Sequence, residues 1–289
     1  MKFCLDKWYA DLVTADGTVC VVYLSTIRCG ILRHTYAGAE IFWPDRSRDM
    51  IRASGPVGHW LKPDSALGNE IRFPCTGGEF VLQYGPGLDA WKPTSSPALG
   101  LDWWVEKPRA SGELWWPGLS QKLEGVGYVD HLRLERRLRG IGLERLDWGR
   151  AHLGRASLVY CSVSFRTGAP WRRIAWWSDG DPEPLVFDDF TITADNESLI
   201  LRTIPGFPEA ATLLTPSRLL HAGPIIEAAP RPGPRERLVT LLISGRLSDN
   251  RWISRARAID GGEAQTGWAV HEVVGLPGST QLIEEGSVA

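Results

Sequence analysis

The stretch KWYADLVTADGTVCVVYLST, residues 7–26, contains two runs of β-branched and aromatic residues separated by an Asp-Gly pair. Asp16-Gly17 is a typical turn sequence between antiparallel strands, because glycine readily adopts the positive φ that such turns require. We therefore predict a β-hairpin here, and with it a fold built from antiparallel strands.

The same pattern recurs along the chain. Strand-like runs bounded by Gly, Pro, Asn or Asp occur at residues 69–85, 183–204 and 236–262. The best helix candidate is TLLTPSRLLHAG, residues 212–223, and Pro216 interrupts it. Many short strands with frequent turns are typical of sandwiches and barrels, so we expect an all-β protein of about 18 strands.

A meander of that length exceeds one small barrel, so the sequence predicts two consecutive barrel-like or sandwich-like β domains. The Pro- and Ser-bearing stretch EKPRASGEL, residues 106–114, is the predicted boundary, which gives domains at 1–110 and 111–289. A second Pro-rich stretch, residues 228–236, is expected to be an exposed loop between strands.

Charge and hydropathy exclude several classes of partner. The chain has 32 Lys and Arg against 34 Asp and Glu, a formal charge of −2, which favours neither nucleic acid nor an anionic membrane. No apolar run approaches the roughly 20 residues of a membrane span. We expect a cytoplasmic protein without stable membrane insertion, whose partner is a small hydrophobic molecule; the sequence gives no oligomeric state.

The five cysteines are scattered and include no C-x-x-C pair, so we expect reduced thiols rather than a disulfide or zinc framework. No Gly-rich phosphate loop and no G-x-S-x-G elbow is present. The sequence therefore predicts chemistry without a cofactor.

Tryptophan is the outlying residue type, with 14 copies against 8 Phe and 2 Met. Large electron-rich rings suit the wall of an apolar cavity. Adjacent strand residues point to opposite faces, so the pairs at 103/104, 115/116 and 176/177 predict sheets covered on both sides. The residues predicted to contact a substrate are Trp8, Trp104, Trp116, Trp148, His152 and Trp177.

The stretch GVGYVDHLRLERRLRGIGLERLDWGRAH, residues 125–152, carries the candidate chemistry. If both of its ends are strands, Tyr128 and Asp130 share one face, and Trp148, Arg150 and His152 share another. Grouped in one aromatic cavity, these five side chains would support acid-base chemistry. The arginine-rich run between them, residues 133–140, is expected to be a solvated loop.

Three side chains are the predicted catalytic residues. A buried carboxyl group keeps its proton at higher pH, so Asp130 is the candidate acid. Tyr128 would orient it or donate beside it. Arg150 would either anchor a substrate oxygen or pair with Asp130, and in the second case the pair would only close the barrel. A metal site of Asp130, His131 and His152 fits no standard ligand spacing, so none is expected.

Three segments together resemble the carotenoid 1,2-hydratase (hydroxyneurosporene synthase) and AttH-like family, whose relatives include fungal lipocalin-like Diels-Alderases. They are DKWYADLVTADGTVCVVY at 6–23, the stretch at 125–152, and RWISRARAIDGGEAQTGWAVHEVVG at 251–275. The resemblance implies two lipocalin-like domains with a cavity at or near their interface. It also implies cofactor-free hydration, cyclisation or pericyclic ring closure.

By position, Asp130 matches the aspartate that the hydratases use as acid, and Tyr128, Trp148 and Arg150 match its motif neighbours. Leu132 and Leu146 depart from the family pattern, which argues against a strict hydratase and leaves the implied fold intact.

Three functions remain open from the sequence. The first is a cofactor-independent cyclase or hydratase, a lyase or isomerase acting on an apolar terpenoid or polyene, or a pericyclase acting on a polyketide or polyene. The second is a lipocalin-like carrier that binds a hydrophobic metabolite unchanged. The third is an inert structural protein.

Overall fold

The computed structural model describes residues 3–54, 70–88, 90–91, 100–136, 142–154, 156–166, 170–177, 183–188, 190–195, 198–203, 211–224, 247–260 and 263–276. The chain divides into two compact units, Met1–Arg137 and Leu138–Ala289. Among the described residues, there is no helix with the length and apolar character needed to cross a membrane.

Seventeen β-strands make up the regular structure of the described residues, and all pair antiparallel with their neighbours. Their bounds are β1 Phe3–Thr14, β2 Val19–Cys29, β3 Leu32–Phe42, β4 Arg48–Arg52, β5 Glu70–Cys75, β6 Gly78–Gly87, β7 Leu101–Trp115, β8 Leu123–Leu134, β9 Leu143–Leu153, β10 Ala156–Phe165, β11 Trp171–Trp177, β12 Leu185–Phe187, β13 Phe190–Asp195, β14 Ser198–Thr203, β15 Ala211–Pro224, β16 Ser248–Asp260 and β17 Glu263–Gly275.

The first unit is one eight-stranded sheet in the order β4-β3-β2-β1-β8-β7-β6-β5, so its first and last strands pair at the centre. The two edges approach each other, because the amide of Ser54, just after β4, donates to the carbonyl of Pro74 in β5 at 2.8 Å. The sheet thus forms a nearly closed barrel. Its apolar core includes Ala10, Phe73 and Val129.

The second unit repeats this plan with nine strands in the order β12-β11-β10-β9-β17-β16-β15-β14-β13. Its first strand, β9, again pairs with its last, β17. Ala151, Leu158 and Val273 belong to its apolar core. The predicted all-β fold of two lipocalin-like barrels is confirmed.

The hairpin predicted at residues 7–26 is confirmed as β1 and β2. Gly17 has φ of 87°, and the amide of Thr18 donates to the Asp16 carboxylate at 3.0 Å. Further predicted strand pairs are present as β5 with β6 and β13 with β14. Of the unit predicted at residues 236–262, β16 is present, and residues 236–246 lie outside the described residues.

The helix candidate at residues 212–223 lies within β15 and is therefore corrected to a strand. Thr212 and Leu214 are buried whereas Leu213 and Thr215 are not, which is a period of two rather than of 3.6. Pro216 lacks an amide hydrogen, and the pairing with β16 shifts register just after it.

The predicted boundary near residue 110 is also corrected, because it falls inside β7. Proline interrupts a β-strand only where the neighbouring strand needs its missing amide hydrogen. In β7, the pairing with β8 shifts register on either side of Lys107, and the strand continues through Pro108. The units divide at Arg137 and Leu138 instead, within the arginine-rich run. The Pro-rich stretch at 228–236 lies outside the described residues.

The pair Trp103/Trp104 divides between the two faces of its strand as predicted. Trp103 contacts Asp130 on one face of β7 while Trp104 stacks on His131 on the other. The expectation that both faces are covered does not hold at Trp115, whose exposed fraction is 40%. All five cysteines are free thiols.

Gly149 generates a prediction about stability. It lies opposite Tyr160 on β10 and His271 on β17, and a Cβ atom at this position would be 2.7 Å from Cε1 of Tyr160 and 2.8 Å from Cβ of His271. We expect Gly149→Ala to lower the free energy of unfolding by roughly 1–3 kcal/mol through overpacking, measured by urea denaturation followed by tryptophan fluorescence.

Gly85→Ala is the matched control. Its added Cβ would crowd the hydroxyl of Ser111, which can rotate away at little cost. An equal loss of stability in the two variants would contradict the packing assigned to Gly149.

Candidate active site

Tyr128 and Asp130 share one face of β8, as the sequence predicts. The Tyr128 hydroxyl donates to Oδ2 of Asp130 at 3.0 Å. Val129 between them packs in the apolar core on the opposite face. The strand alternation thus brings a phenol and a carboxyl group into contact at a buried position, where the exposed fraction of Asp130 is 5%.

A second donor reaches the same carboxyl oxygen from the neighbouring strand. Trp103 on β7 donates from Nε1 to Oδ2 of Asp130 at 3.0 Å. Trp91 packs edge-on against Trp103, with 5.8 Å between ring centroids. Both hydrogen bonds therefore fix Oδ2, and Oδ1 is the oxygen left to carry and exchange a proton.

Burial raises the pKa of Asp130 to about 7, because a charged carboxylate is poorly solvated at this position. The hydrogen bond from Trp103, the positive charge of Lys7 and the hydrogen bond from Tyr128 oppose this change, and the negative charge of Asp11 adds to it. Near neutral pH, both the acid and its conjugate base are populated, which suits a general acid-base group.

Tyr9 and Asp11 on β1 complete this face, and the sequence analysis missed them both. Tyr9 lies opposite Asp130 in the register of β1 and β8. Its hydroxyl donates to Oδ2 of Asp11 at 2.8 Å, and its ring centroid is 6.1 Å from that of Tyr128 and 5.5 Å from that of Tyr23. The repeated Tyr-x-Asp pattern of the two strands is the signal that would have pointed to them.

Three of the residues predicted to contact substrate lie on the other face of the first sheet. Trp8 and Trp104 stack on the two sides of the His131 ring, at centroid distances of 4.2 Å and 4.8 Å. Trp116 belongs to the apolar core. The structure does not bring these rings to Asp130. It also turns His131 away from Asp130, which removes the geometry that a shared metal site would need.

The other predicted residues lie in the second unit. Trp148, Arg150 and His152 alternate along one buried face of β9, and Nδ1 of His152 is 3.3 Å from Oγ of Ser157 on β10. Trp177 lies opposite Ser157 on the same face. The structure thus places these four residues on one face of the second unit, and Tyr128 and Asp130 on one face of the first.

That face of the second unit also carries buried charges that the sequence did not reveal. Arg251 on β16 contacts Asp249 at 2.8 Å and Glu272 at 3.1 Å. Glu272 lies opposite Trp148 in the pairing of β17 with β9. Its carboxylate is therefore neutralised by a guanidinium, unlike that of Asp130, whose two hydrogen-bond donors are both uncharged.

Comparison with solved structures identifies the fold. No family model matches the chain. No curated protein matches it by sequence. Among solved structures, CghA is similar with a TM-score of 0.61 at 16% identity, covering 94% of this chain and 88% of its own. CghA with Sch210972 is similar with a TM-score of 0.58 at 15% identity and the same coverage.

Two further structures extend this similarity. Kievitone hydratase from Nectria haematococca is similar with a TM-score of 0.56 at 13% identity, covering 93% of this chain and 88% of its own. A putative AttH from Nitrosomonas europaea is similar with a TM-score of 0.55 at 10% identity, covering 95% and 93%. At these identities, the likeness places the chain among proteins of this two-barrel fold.

The raised pKa of Asp130 predicts an unusual dependence of stability on pH. Between about pH 4 and pH 7, the native protein holds a proton that the unfolded chain has released, so the native state loses stability as pH rises through this window. Asp130→Asn removes that loss. We expect the stability of this variant, relative to wild type, to increase by roughly 2 kcal/mol between pH 5 and pH 8 in urea denaturation.

Asp16→Asn is the control with the opposite sign. The hydrogen bond from the Thr14 side chain, followed by that from the Thr18 backbone, lowers the pKa of Asp16. Its carboxylate therefore stabilises the native state above the unfolded pKa, and this contribution is lost as pH falls. Parallel pH dependence of the two variants would contradict the assignment for Asp130.

Trp103 generates a separate prediction about the acid. We expect Trp103→Phe to raise the pKa of Asp130 by about one unit, because the carboxylate loses a donor while the ring volume is largely kept. The measurement is a carbon-13 NMR titration of the carboxyl carbon. Trp104→Phe, on the opposite face, should leave the titration unchanged; a shift of similar size there would show that general loosening is the cause.

Proposed function

We propose that this protein is a cofactor-independent enzyme of the hydratase or cyclase type, acting on an apolar terpenoid or polyene with Asp130 as the acid. The observation that carries the proposal is the buried carboxyl group of Asp130, with both donors on Oδ2 and a pKa near neutrality. A group of this kind donates a proton to a poorly basic atom and recovers it at the same pH.

The chemistry begins with protonation of a carbon-carbon double bond. The O–H bond at Oδ1 of Asp130 breaks, a C–H bond forms at one alkene carbon, and the other carbon becomes cationic. Tyr128 and Trp103 stabilise the resulting carboxylate through Oδ2. Aromatic faces attract cations, each contributing about 0.5–2 kcal/mol, and Tyr9, Tyr23 and Tyr128 lie in contact on this face.

The cation is consumed in one of two ways. In hydration, the oxygen of a water molecule bonds to the cationic carbon and the released proton returns to Asp130. In cyclisation, a second double bond of the same substrate attacks that carbon, and loss of a neighbouring proton to Asp130 restores neutrality. Either sequence leaves the enzyme unchanged and needs no oxidant or reductant.

The similar structures support this class of chemistry. One of them is named a hydratase, and another was determined with a small molecule, Sch210972. We extend to this chain only the broad class, namely an enzyme or binding protein for a small organic molecule. The substrate contacts predicted at Arg150, Trp148, His152 and Trp177, which share one buried face of the second unit, stay predictions.

The test is turnover of squalene and geranylgeraniol in deuterated buffer, followed by mass spectrometry. We expect a hydrated or cyclised product with one deuterium on carbon, and we expect Asp130→Asn to reduce its rate at least about 100-fold. Asp102→Asn is the matched control, because Asp102 precedes Trp103 and points to the other face of β7; its rate should stay close to that of wild type.

Two other outcomes would overturn the acid role. A product without deuterium, formed equally fast by Asp130→Asn, would indicate that the protein acts only by holding the substrate in a reactive shape, as a pericyclase does. Squalene or geranylgeraniol that binds to the protein and is recovered chemically unchanged would indicate a carrier.

A further inference from the structure

Two copies of a Tyr-x-Asp tripeptide face each other across β1 and β8. In the antiparallel register, Tyr9 lies opposite Asp130 and Asp11 lies opposite Tyr128. Opposed residues of neighbouring strands point to the same face, so two phenols and two carboxyl groups alternate at the corners of a square. Each tyrosine donates to the aspartate of its own strand, at 2.8 Å on β1 and 3.0 Å on β8.

The backbone of Asp11 is fixed from a third strand. The hydroxyl of Tyr84 on β6 donates to the carbonyl oxygen of Asp11 at 3.0 Å. Gly127 leaves room for this contact, because a Cβ atom there would collide with the Tyr84 ring and would lie 2.8 Å from that same carbonyl oxygen. The position of Asp11 is therefore set as firmly as that of Asp130, although the function proposed above makes no use of it.

Charge on this face does not allow both carboxyl groups to ionise easily. Asp11 has an exposed fraction of 0% and Asp130 of 5%. Two buried carboxyl groups on one face of neighbouring strands favour a state in which one keeps its proton. Lys7, two residues before Tyr9, supplies a cation on this face, and its Nζ lies 4.8 Å from the centroid of the Tyr23 ring.

We propose that Asp11 is a positioning residue, the ionised member of a carboxyl pair, and that its fixed negative charge, together with burial, favours the acid form of Asp130. Among the described residues, the titratable side chains on or next to this face include the phenols of Tyr9, Tyr23, Tyr84 and Tyr128. They also include Glu40 on β3, which pairs with Arg48 on β4 at 2.7 Å.

This inference rests on the proposed function, because it gives the same acid a partner. The negative charge of Asp11 opposes ionisation of Asp130 and so raises its pKa. Asp11 would therefore favour the acid form of Asp130 before the step, without transferring a proton itself.

The test is a carbon-13 NMR titration of protein labelled at the aspartate carboxyl carbons, without substrate, from pH 4 to pH 9. The Asp130 resonance is assigned by its absence in Asp130→Asn. We expect Asp11→Asn to lower the midpoint of the Asp130 titration by about one pH unit, because a like charge is removed. Lys7→Gln should move it in the opposite direction.

The titration measures the protonation of Asp130 without substrate, so its result tests the role of Asp11 independently of the proposed reaction. If Asp11→Asn does not fold, Tyr9→Phe is the second variant; it withdraws the donor that stabilises the Asp11 anion and should also lower the Asp130 midpoint. An unchanged midpoint in a folded Asp11→Asn protein, or in Tyr9→Phe where that variant is needed, would overturn the pairing. Asp11→Glu, which keeps the charge, should retain most of the wild-type midpoint.

Discussion

The pairing of β1 with β8 is the constraint on which the candidate site depends. These are the first and last strands of the first unit, and their register sets Tyr9 against Asp130. A slip of one residue would turn every side chain of one strand to the other face. Ala10 and Val129 prevent that slip, because both pack in the apolar core and neither position tolerates exchange with its polar neighbour. The hydrophobic core thus fixes a polar arrangement on the opposite side of the same sheet.

The protonation state of Asp130 is the net result of unequal effects. Two hydrogen bonds and the charge of Lys7 favour the carboxylate, yet loss of solvation outweighs them and the pKa rises to about 7. The two donors oppose this rise of the pKa only in part, because both are uncharged and both bind the same oxygen. A guanidinium in the same place would have held the group ionised and removed its capacity to act as an acid. The protonation state of Asp130 therefore depends on which donors reach it as much as on its burial.

Local sequence patterns predicted the parts of this arrangement that depend on strand periodicity. The alternation in GYVDH placed Tyr128 and Asp130 together, and the Asp-Gly turn placed the first hairpin. Trp103 and Asp11 could not be found in this way, since they meet Asp130 only through pairings between strands that are distant in sequence. The predicted substrate contacts at Trp8 and Trp104 illustrate the same limit: aromatic composition indicates rings near a cavity but does not give the face to which each ring points.

The helix candidate and the domain boundary failed for a related reason. Pro216 and Pro108 each lack the amide hydrogen that a regular strand ladder uses. A single sequence does not reveal that the pairing with the neighbouring strand shifts register at these positions and so continues past them. Both prolines lie in long strands whose stability comes from neighbours on either side, so tertiary pairing outweighs the local signal.

The two units share one strand topology but differ in the charge state of a buried carboxyl group. In each, the first strand pairs with the last and an acidic side chain from the last strand lies on the face away from the apolar core. In the second unit, Glu272 meets Arg251, and the pair is satisfied as ions. In the first, Asp130 meets only neutral donors, and the nearest fixed charges, Lys7 and Asp11, act on it with opposite signs. An ion pair stabilises a closed structure, whereas a carboxyl group held near its midpoint can exchange a proton with a substrate. The repeated fold therefore carries buried carboxyl groups in two states, an ion pair in the second unit and a carboxyl group near its titration midpoint in the first.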